Sequence, residues 1–259
     1  MRLIDTHSHL FLEEFSEDLP QVIERARSAG ITHIFMPNID STTIDSMLSV
    51  CNTYNDYCFP MIGLHPTSVN ADYEKELEIV ARELKSFNKY IAIGEVGMDL
   101  YWDKTFLKEQ QIVLDKQINW ALEYDLPVVI HCRDAFGYIY NVLEPYKNTS
   151  LKGVFHSFTG TDDEAARILE FSGFLIGING VVTFKKSRLP EVLTKIPLEK
   201  IVLETDSPYL TPVPNRGKRN ESVYVKDTLM KVSDIYRMSP EAVGRVTSEN
   251  ALKVFGMLK

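Results

Sequence analysis

A chain of 259 residues with 44% apolar and 25% charged positions can build a full core, which excludes a disordered or fibrous protein and leaves one large domain or two small ones. A net charge of −8 argues against a surface that binds nucleic acid all over, so any such contact must come from a local basic patch or from bound cations. The odd set Cys51, Cys58 and Cys132 has no CxxC pair, Met1-Arg2 opens without a leader pattern, and no apolar run nears the roughly 20 residues of a membrane span, so a soluble cytoplasmic protein is expected.

Leu3 to Thr6 reads as a short strand leading into His7-Ser8-His9, whose alternate histidines project to one side. A helix follows from Asp18 to Ala29 and stops at Gly30; Ile31 to Met36 is the second strand. Ser41 is expected to cap a helix over Ile44, Met47, Leu48 and Cys51. Phe59 to Leu64 is a third strand, weakened by Pro60, that leads into His65-Pro66. The amphipathic segment Asp72 to Phe87 is helical. Tyr90 to Gly94 is the fourth strand, running into Glu95, and Phe106 to Tyr124 is the longest helix. Pro127 to Ile130 is a fifth strand ending in His131-Cys132-Arg133, and Gly153 to Phe155 a sixth ending in His156. A helix from Asp162 to Ser172 precedes the seventh strand, Gly173 to Ile178, and another lies around Leu189 to Ile196. Lys200 to Leu203 is the eighth strand, carrying Glu204-Thr205-Asp206. Helices from Val223 to Tyr236 and from Pro240 to Phe255, the second capped by Ser239, end the chain.

Eight short apolar strands alternating with helices, and no linker between them, describe a (β/α)8 TIM barrel filling residues 1–259 as one domain. Without a Gly-rich phosphate fingerprint, a doubly wound sheet fits less well. Active sites of such barrels lie at the C-terminal ends of strands, which gathers His7, His9, Glu95, His131, His156 and Asp206 at one rim. Singly, each would pass for a rim residue or, for Asp206, a helix cap. Four imidazoles and two carboxylates are too many donors for one ion that keeps a water position open. They suit two divalent ions about 3.5–4 Å apart and bridged by a carboxylate, a centre for hydrolysis by metal-activated water. Imidazole favours Zn²⁺ or Mn²⁺, whereas phosphodiester chemistry often runs on Mg²⁺.

The motifs Asp5-Thr6-His7-Ser8-His9-Leu10, Gly63-Leu64-His65-Pro66, Ile93 to Asp99, Pro127 to Asp134, Phe155 to Gly160, Leu203 to Leu210 and Arg216 to Glu221 occur in that order over nearly the whole chain. In this the sequence resembles the TatD family of metal-dependent deoxyribonucleases, of the amidohydrolase-like superfamily; it departs at Ser222, where the family commonly has proline. The resemblance implies a hydrolase of DNA phosphodiester bonds, commonly a 3′-exonuclease. It implies that His7, His9, Glu95 and Asp206 bind one ion and Glu95, His131 and His156 the second, with Asp206 orienting or deprotonating the water. DNA, single-stranded or at strand ends, is then the expected partner; the oligomeric state stays open, a monomer included.

Other residues carry several readings. His65 is a candidate phosphate contact or a rim histidine steadying the Pro66 turn, and Arg133 a phosphate contact or an ion-pair partner of Asp134 or Glu95. Glu204 shares the strand parity of Asp206 and suits a place behind a ligand, whereas His33 lies mid-strand and reads as structural. Tyr101 and Trp102 could stack on a base or form a hydrophobic lid. Arg216, Lys218 and Arg219 after strand eight, with Lys185, Lys186 and Arg188 after strand seven, are candidates for gripping a phosphate backbone. A small-molecule or aminoacyl-ester hydrolase using the same metals remains the alternative, because the barrel alone does not choose a substrate.

Overall fold

The computed structural model describes residues 2–86 and 89–258. Its strands are β1 (Leu3–Asp5), β2 (Ile31–Pro37), β3 (Cys58–Met61), β4 (Ile93–Asp99), β5 (Val128–Arg133), β6 (Gly153–Phe155), β7 (Phe174–Ile178) and β8 (Ile201–Leu203). Between and after them come helices α1 (Leu19–Ser28), α2 (Ile44–Thr53), α3 (Tyr73–Ser86), α4 (Leu107–Glu123), α5 (Phe136–Leu143), α6 (Asp162–Leu169), α7 (Leu189–Leu193), α8 (Val225–Tyr236) and α9 (Pro240–Val254). Paired strands run parallel, in the unbroken orders β1-β2-β3 and β4-β5-β6-β7-β8. Two seams close them into the expected barrel. Ile62 bridges Ile93 at one seam and Ser8 bridges Ser207 at the other. At the second, the Thr6 N–H also donates to the Leu203 carbonyl at 3.1 Å and the His9 N–H to the Ser207 carbonyl at 2.8 Å.

Alternation along the strands sorts the core into two layers. Ile4, Phe35, Met61, Val129, Val154, Leu175 and Val202, with Ala92 just before β4, pack together inside the barrel. The end of α9 joins this inner cluster through Ala251, Val254 and Phe255, whose ring lies 4.6 Å from that of Phe35. The opposite set, including Leu3, Ile34, Met36, Ile130, Phe155, Ile176 and Leu203, packs outward among the helices. With the interior filled by apolar side chains and joined by the end of α9, polar side chains collect at the C-terminal rim. Among the described residues no helix is long and apolar enough to cross a membrane.

Several expectations shift. Asp40 rather than Ser41 caps the turn before α2: its side chain accepts the Thr42 N–H, while Ser41 donates to Glu76. Strand four begins at Ile93 rather than Tyr90 and runs on to Asp99, so Glu95 stands inside it, where the register to β5 shifts between Ile93 and Val96. The third strand stops at Met61, and the helix expected to reach Ser172 ends at Leu169. The helix over Asp72 to Phe87 is α3, and Phe87 lies outside the described residues. Ser239 does cap α9, accepting the Ala242 N–H.

One glycine governs the approach of β4 to β5. Gly97 has φ +138°, and a Cβ there would stand 2.0 Å from the His131 carbonyl oxygen. Gly97→Ala is therefore expected to cost at least about 3 kcal/mol, combining strain with a backbone clash. Urea unfolding measures it, and an unchanged midpoint would refute this account of the ladder.

Candidate metal centre

The rim assembles around Glu95. β1 and the β8 seam bring up His7 and His9, the residues after β3 bring His65, β5 brings His131, the end of β6 His156, and the turn after β8 Asp206. Asp206 has φ +58°, a left-handed conformation that Asp tolerates better than most residues. Its N–H donates to the His7 carbonyl at 2.9 Å, and the chain turns back there as the Tyr209 N–H reaches the Asp206 carbonyl. No α-helix starts at this point, the next being α8, so Asp206 is not a helix cap.

The two oxygens of Glu95 face different donors. On the Oε2 side, His7 Nε2 lies at 3.1 Å and His9 Nε2 at 3.6 Å, with Asp206 Oδ1 at 3.8 Å and 3.7 Å from these two nitrogens. On the Oε1 side, His156 Nε2 lies at 2.7 Å, His131 Nδ1 at 2.9 Å and His65 Nε2 at 3.2 Å. His7 and His156 stack with ring centroids 3.8 Å apart, joining the two halves. Donors converging on an ion at about 2.0–2.2 Å stand roughly 3–3.5 Å from one another, and the spacings here bracket that value, 3.1–3.8 Å on the Oε2 side and 2.7–3.2 Å on the Oε1 side. The residues present thus fit metal ligation. His65, expected to contact phosphate, joins Glu95 and His131 as a possible ligand group.

Electrostatics agree with that fit. Burial opposes ionisation of Glu95, but the surrounding His156, His65 and His7 outweigh it and hold the carboxyl well below its usual range. Asp206 is likewise lowered: burial opposes, while the hydrogen bond from His9 and the charges of His7 and His156 prevail. His156 is raised well above an ordinary histidine, against its burial, by Glu95 and Glu204. His7 is lowered by burial and by His156, and His65 chiefly by burial, which favours the neutral rings that ligate. Two carboxylates held ionised, Glu95 buried and Asp206 partly so, face His156 and His131, whose affinity for protons is raised, so the site is one that gathers positive charge, protons or cations.

The residues behind the centre are as ordered as those facing it. Asp99, which sequence reasoning passed over, is buried with Oδ2 2.9 Å from His131 Nε2 while His131 Nδ1 faces Glu95. A carboxylate on the far nitrogen of a histidine fixes its tautomer and raises its basicity. Asp99 lies on β4 four residues, two alternations, beyond Glu95, and that parity was the available signal. Glu204 accepts the Ser157 N–H at 2.5 Å and stands 3.7 Å from His156 Nδ1, in the place expected of it behind a ligand. A Cβ on Gly177 would reach within 2.5 Å of Glu204 Oε2, so the glycine makes room for that carboxylate. Asp5 accepts from both the N–H and the hydroxyl of Thr205, tying β1 to the residue before Asp206.

Farther out, the placements divide. Arg133 pairs with neither Asp134 nor Glu95; it lies over the Tyr101 ring at 3.8 Å. Arg219 is committed elsewhere than to a strand: both terminal nitrogens donate to Asp18 at 2.8 Å, and its guanidinium covers Phe15 at 4.5 Å. Arg216 sits over Phe184 at 4.0 Å, joining the loops after β7 and β8, and it and Lys218 are exposed. His33 stacks on Phe59, away from the other five histidines. Burial pushes the Cys58 and Cys132 thiols up to about 12, and Cys51 up as well, so none suits a thiolate nucleophile.

Asp99→Asn keeps the shape behind His131 but removes the charge. Metal affinity is expected to fall by about 10- to 100-fold, read by competition with a chromogenic chelator, with the unfolding midpoint nearly unchanged. Unaltered affinity would mean that Asp99 does not support His131 as a ligand.

The TatD related DNase family profile matches residues 4–256. An uncharacterized metal-dependent hydrolase of Bacillus subtilis, YabD, is 37% identical over 254 residues, covering 98% of each chain. The 3′-5′ ssDNA/RNA exonuclease TatD of Pantoea ananatis is 31% identical over 262 residues, covering 99% of this chain and all of its own. The crystal structure of YJJV, a TatD homolog from Escherichia coli K12, superposes with a TM-score of 0.91 at 28% identity, covering 98% of both chains. A rim of five histidines and Asp206 around Glu95, in a barrel matched end to end by these proteins, makes this chain a member of the TatD related DNase family of metal-dependent hydrolases.

Proposed function

We propose that the protein is a two-metal nuclease that removes nucleotides from the end of a DNA strand. The observation that carries the reading is Glu95, each of whose carboxylate oxygens faces its own set of ligands. His7, His9, Glu95 and Asp206 would hold one divalent ion; Glu95, His131 and His156 would hold the other, with His65 beside them. Such ions would supply Lewis acidity, which lowers the pKa of water toward neutrality. The imidazole-rich donor set favours Zn²⁺ or Mn²⁺.

The chain's own residues do the rest. Asp206, ionised and at the mouth of the centre, accepts the proton of the attacking water. Glu204 and Asp99 keep His156 and His131 from turning. Lys185, Lys186, Arg188, Arg216 and Lys218 form an exposed arc on the loops after β7 and β8, and none of the five makes an ion pair among the described residues. Exposed cations on the loops that rim an acidic centre suit a polyanion that must be brought to it against a net charge of −8. A small neutral ester has no use for that arc, so the strand is the favoured substrate.

End-labelled single-stranded DNA tests the reading. Hydrolysis should stop in excess EDTA and return with Mn²⁺ or Zn²⁺, and metal analysis should find two ions per chain; full activity in EDTA with no metal detected refutes it. Asp206→Asn should lower turnover by at least about 10²-fold while DNA binding survives. Near-normal turnover would remove Asp206 from proton transfer.

The loop cations give a separate test. Lys218→Ala should weaken binding to all sequences and flatten the log–log salt dependence by about 0.7 for the one lost contact to a single strand. Arg219→Ala should leave that slope alone and instead cost about 1 kcal/mol of stability, through the lost Asp18 pair and the uncovered Phe15. The reverse pattern would exchange their roles.

A further inference from the structure

The loop between β4 and α4 exposes two aromatic side chains, with Tyr101 at 51% and Trp102 at 76% accessibility. Their rings meet edge to face, 4.7 Å apart and at 88°. Arg133 lies over Tyr101 at 3.8 Å and 5.6 Å from Trp102; its charge helps to lower Asp99, and among the described residues it makes no ion pair within 4.0 Å. The neighbours along the loop, Asp103 and Lys104, are exposed and charged, so the patch does not extend into an apolar surface of the size that docks a protein.

Its position is set by the metal centre. Arg133 lies opposite Asp99 in the β4–β5 ladder, two residues beyond His131. The Tyr101 N–H donates to Asp99 Oδ1 at 3.1 Å, while the other oxygen of the same carboxylate faces His131. One buried side chain thus fixes both a candidate metal ligand and the root of the aromatic shelf. A phosphate at the centre would leave the adjoining nucleotide beside the shelf.

We propose that Tyr101, Trp102 and Arg133 form a stacking subsite for an unpaired nucleobase next to the scissile phosphate, an inference that rests on the nuclease reading. Aromatic faces stack on any base, and a guanidinium held against them adds attraction to the base and to its phosphate. A base inside a duplex already has both faces covered, so the subsite takes single-stranded DNA or a frayed end.

Fluorescence tests this on the metal-loaded protein. A Trp120→Phe background leaves Trp102 as the emitter, since the chain has two tryptophans. Phosphorothioate single strands, which resist cleavage, should quench it on binding; an abasic strand of equal length and a blunt duplex should not. Trp102→Ala should raise the Kd for the base-bearing strand roughly tenfold and erase most of its preference over the abasic one. Trp102→Phe should restore that preference and Trp102→Leu should not, which separates stacking from mere apolar cover. Equal affinities for wild type, Trp102→Ala and Trp102→Leu, with DNA still cleaved, overturn the subsite and leave the nuclease reading standing. A wild type that neither binds nor cuts DNA yet hydrolyses small esters overturns both.

Discussion

A carboxylate stripped of water and ringed by imidazoles is the constraint on which this rim depends. Glu95 is buried inside β4, where ionisation is opposed by the loss of solvent and restored by the charges around it. A lone buried carboxylate would take up a proton; this one stays ionised because His156, His65 and His7 face it from three different parts of the chain. Truncating Glu95 would therefore leave imidazoles confronting one another, as well as dividing the two ligand sets. The carboxylate acts as organiser of the rim.

That arrangement explains the care with which the barrel closes. The seam between β1 and β8 brings the two ends of the sequence together, and His7, His9 and Asp206 all lie along it. The pair Asp5–Thr205 and the hydroxyl pair Ser8–Ser207 at 2.6 Å fasten the seam on either side of His7. Asn220 then donates to the Thr205 and Tyr209 carbonyls, at 2.9 Å and 2.6 Å, and so pins the turn that carries Asp206. Arg219 and Glu221 hold the same loop to the first helical layer through Asp18 and Arg25. The run Arg219-Asn220-Glu221 looks like a binding motif, but its partners make it a brace for the turn that carries Asp206.

The ligand set was legible because strand-end position, side-chain alternation and residue type converge on it without any need for distances. His65 was placed at the right rim with a different task, because only its 3.2 Å approach to Glu95 sets it among the ligands. Asp99 escaped because the strand was ended too early: Gly94 and Gly97 look like a terminus, whereas Gly97 is what lets β4 continue against β5. The helix α5 drew no mention because Phe136 to Leu143 is apolar on most sides and starts at Ala135 with no side-chain cap. Arg219 shows the limit of counting charges, since a cation in a basic cluster can still spend its guanidinium on a distant Asp18.

An acidic protein that acts on an anionic polymer has to separate its charges in space. Here the negative charge at the centre is the kind that ligates cations, so metal binding converts the most acidic point of the rim into an attractive one. On one flank the loops after β7 and β8 present the exposed Lys185, Lys186, Arg188, Arg216 and Lys218; on the other, Arg133 lies on an aromatic shelf. Between them a strand would meet positive charge along its backbone and a flat apolar face at one base. Ionic strength then weakens the first contact much more than the second, because stacking is not screened. High salt should therefore turn recognition from the charge of the strand toward the presence of an unpaired base.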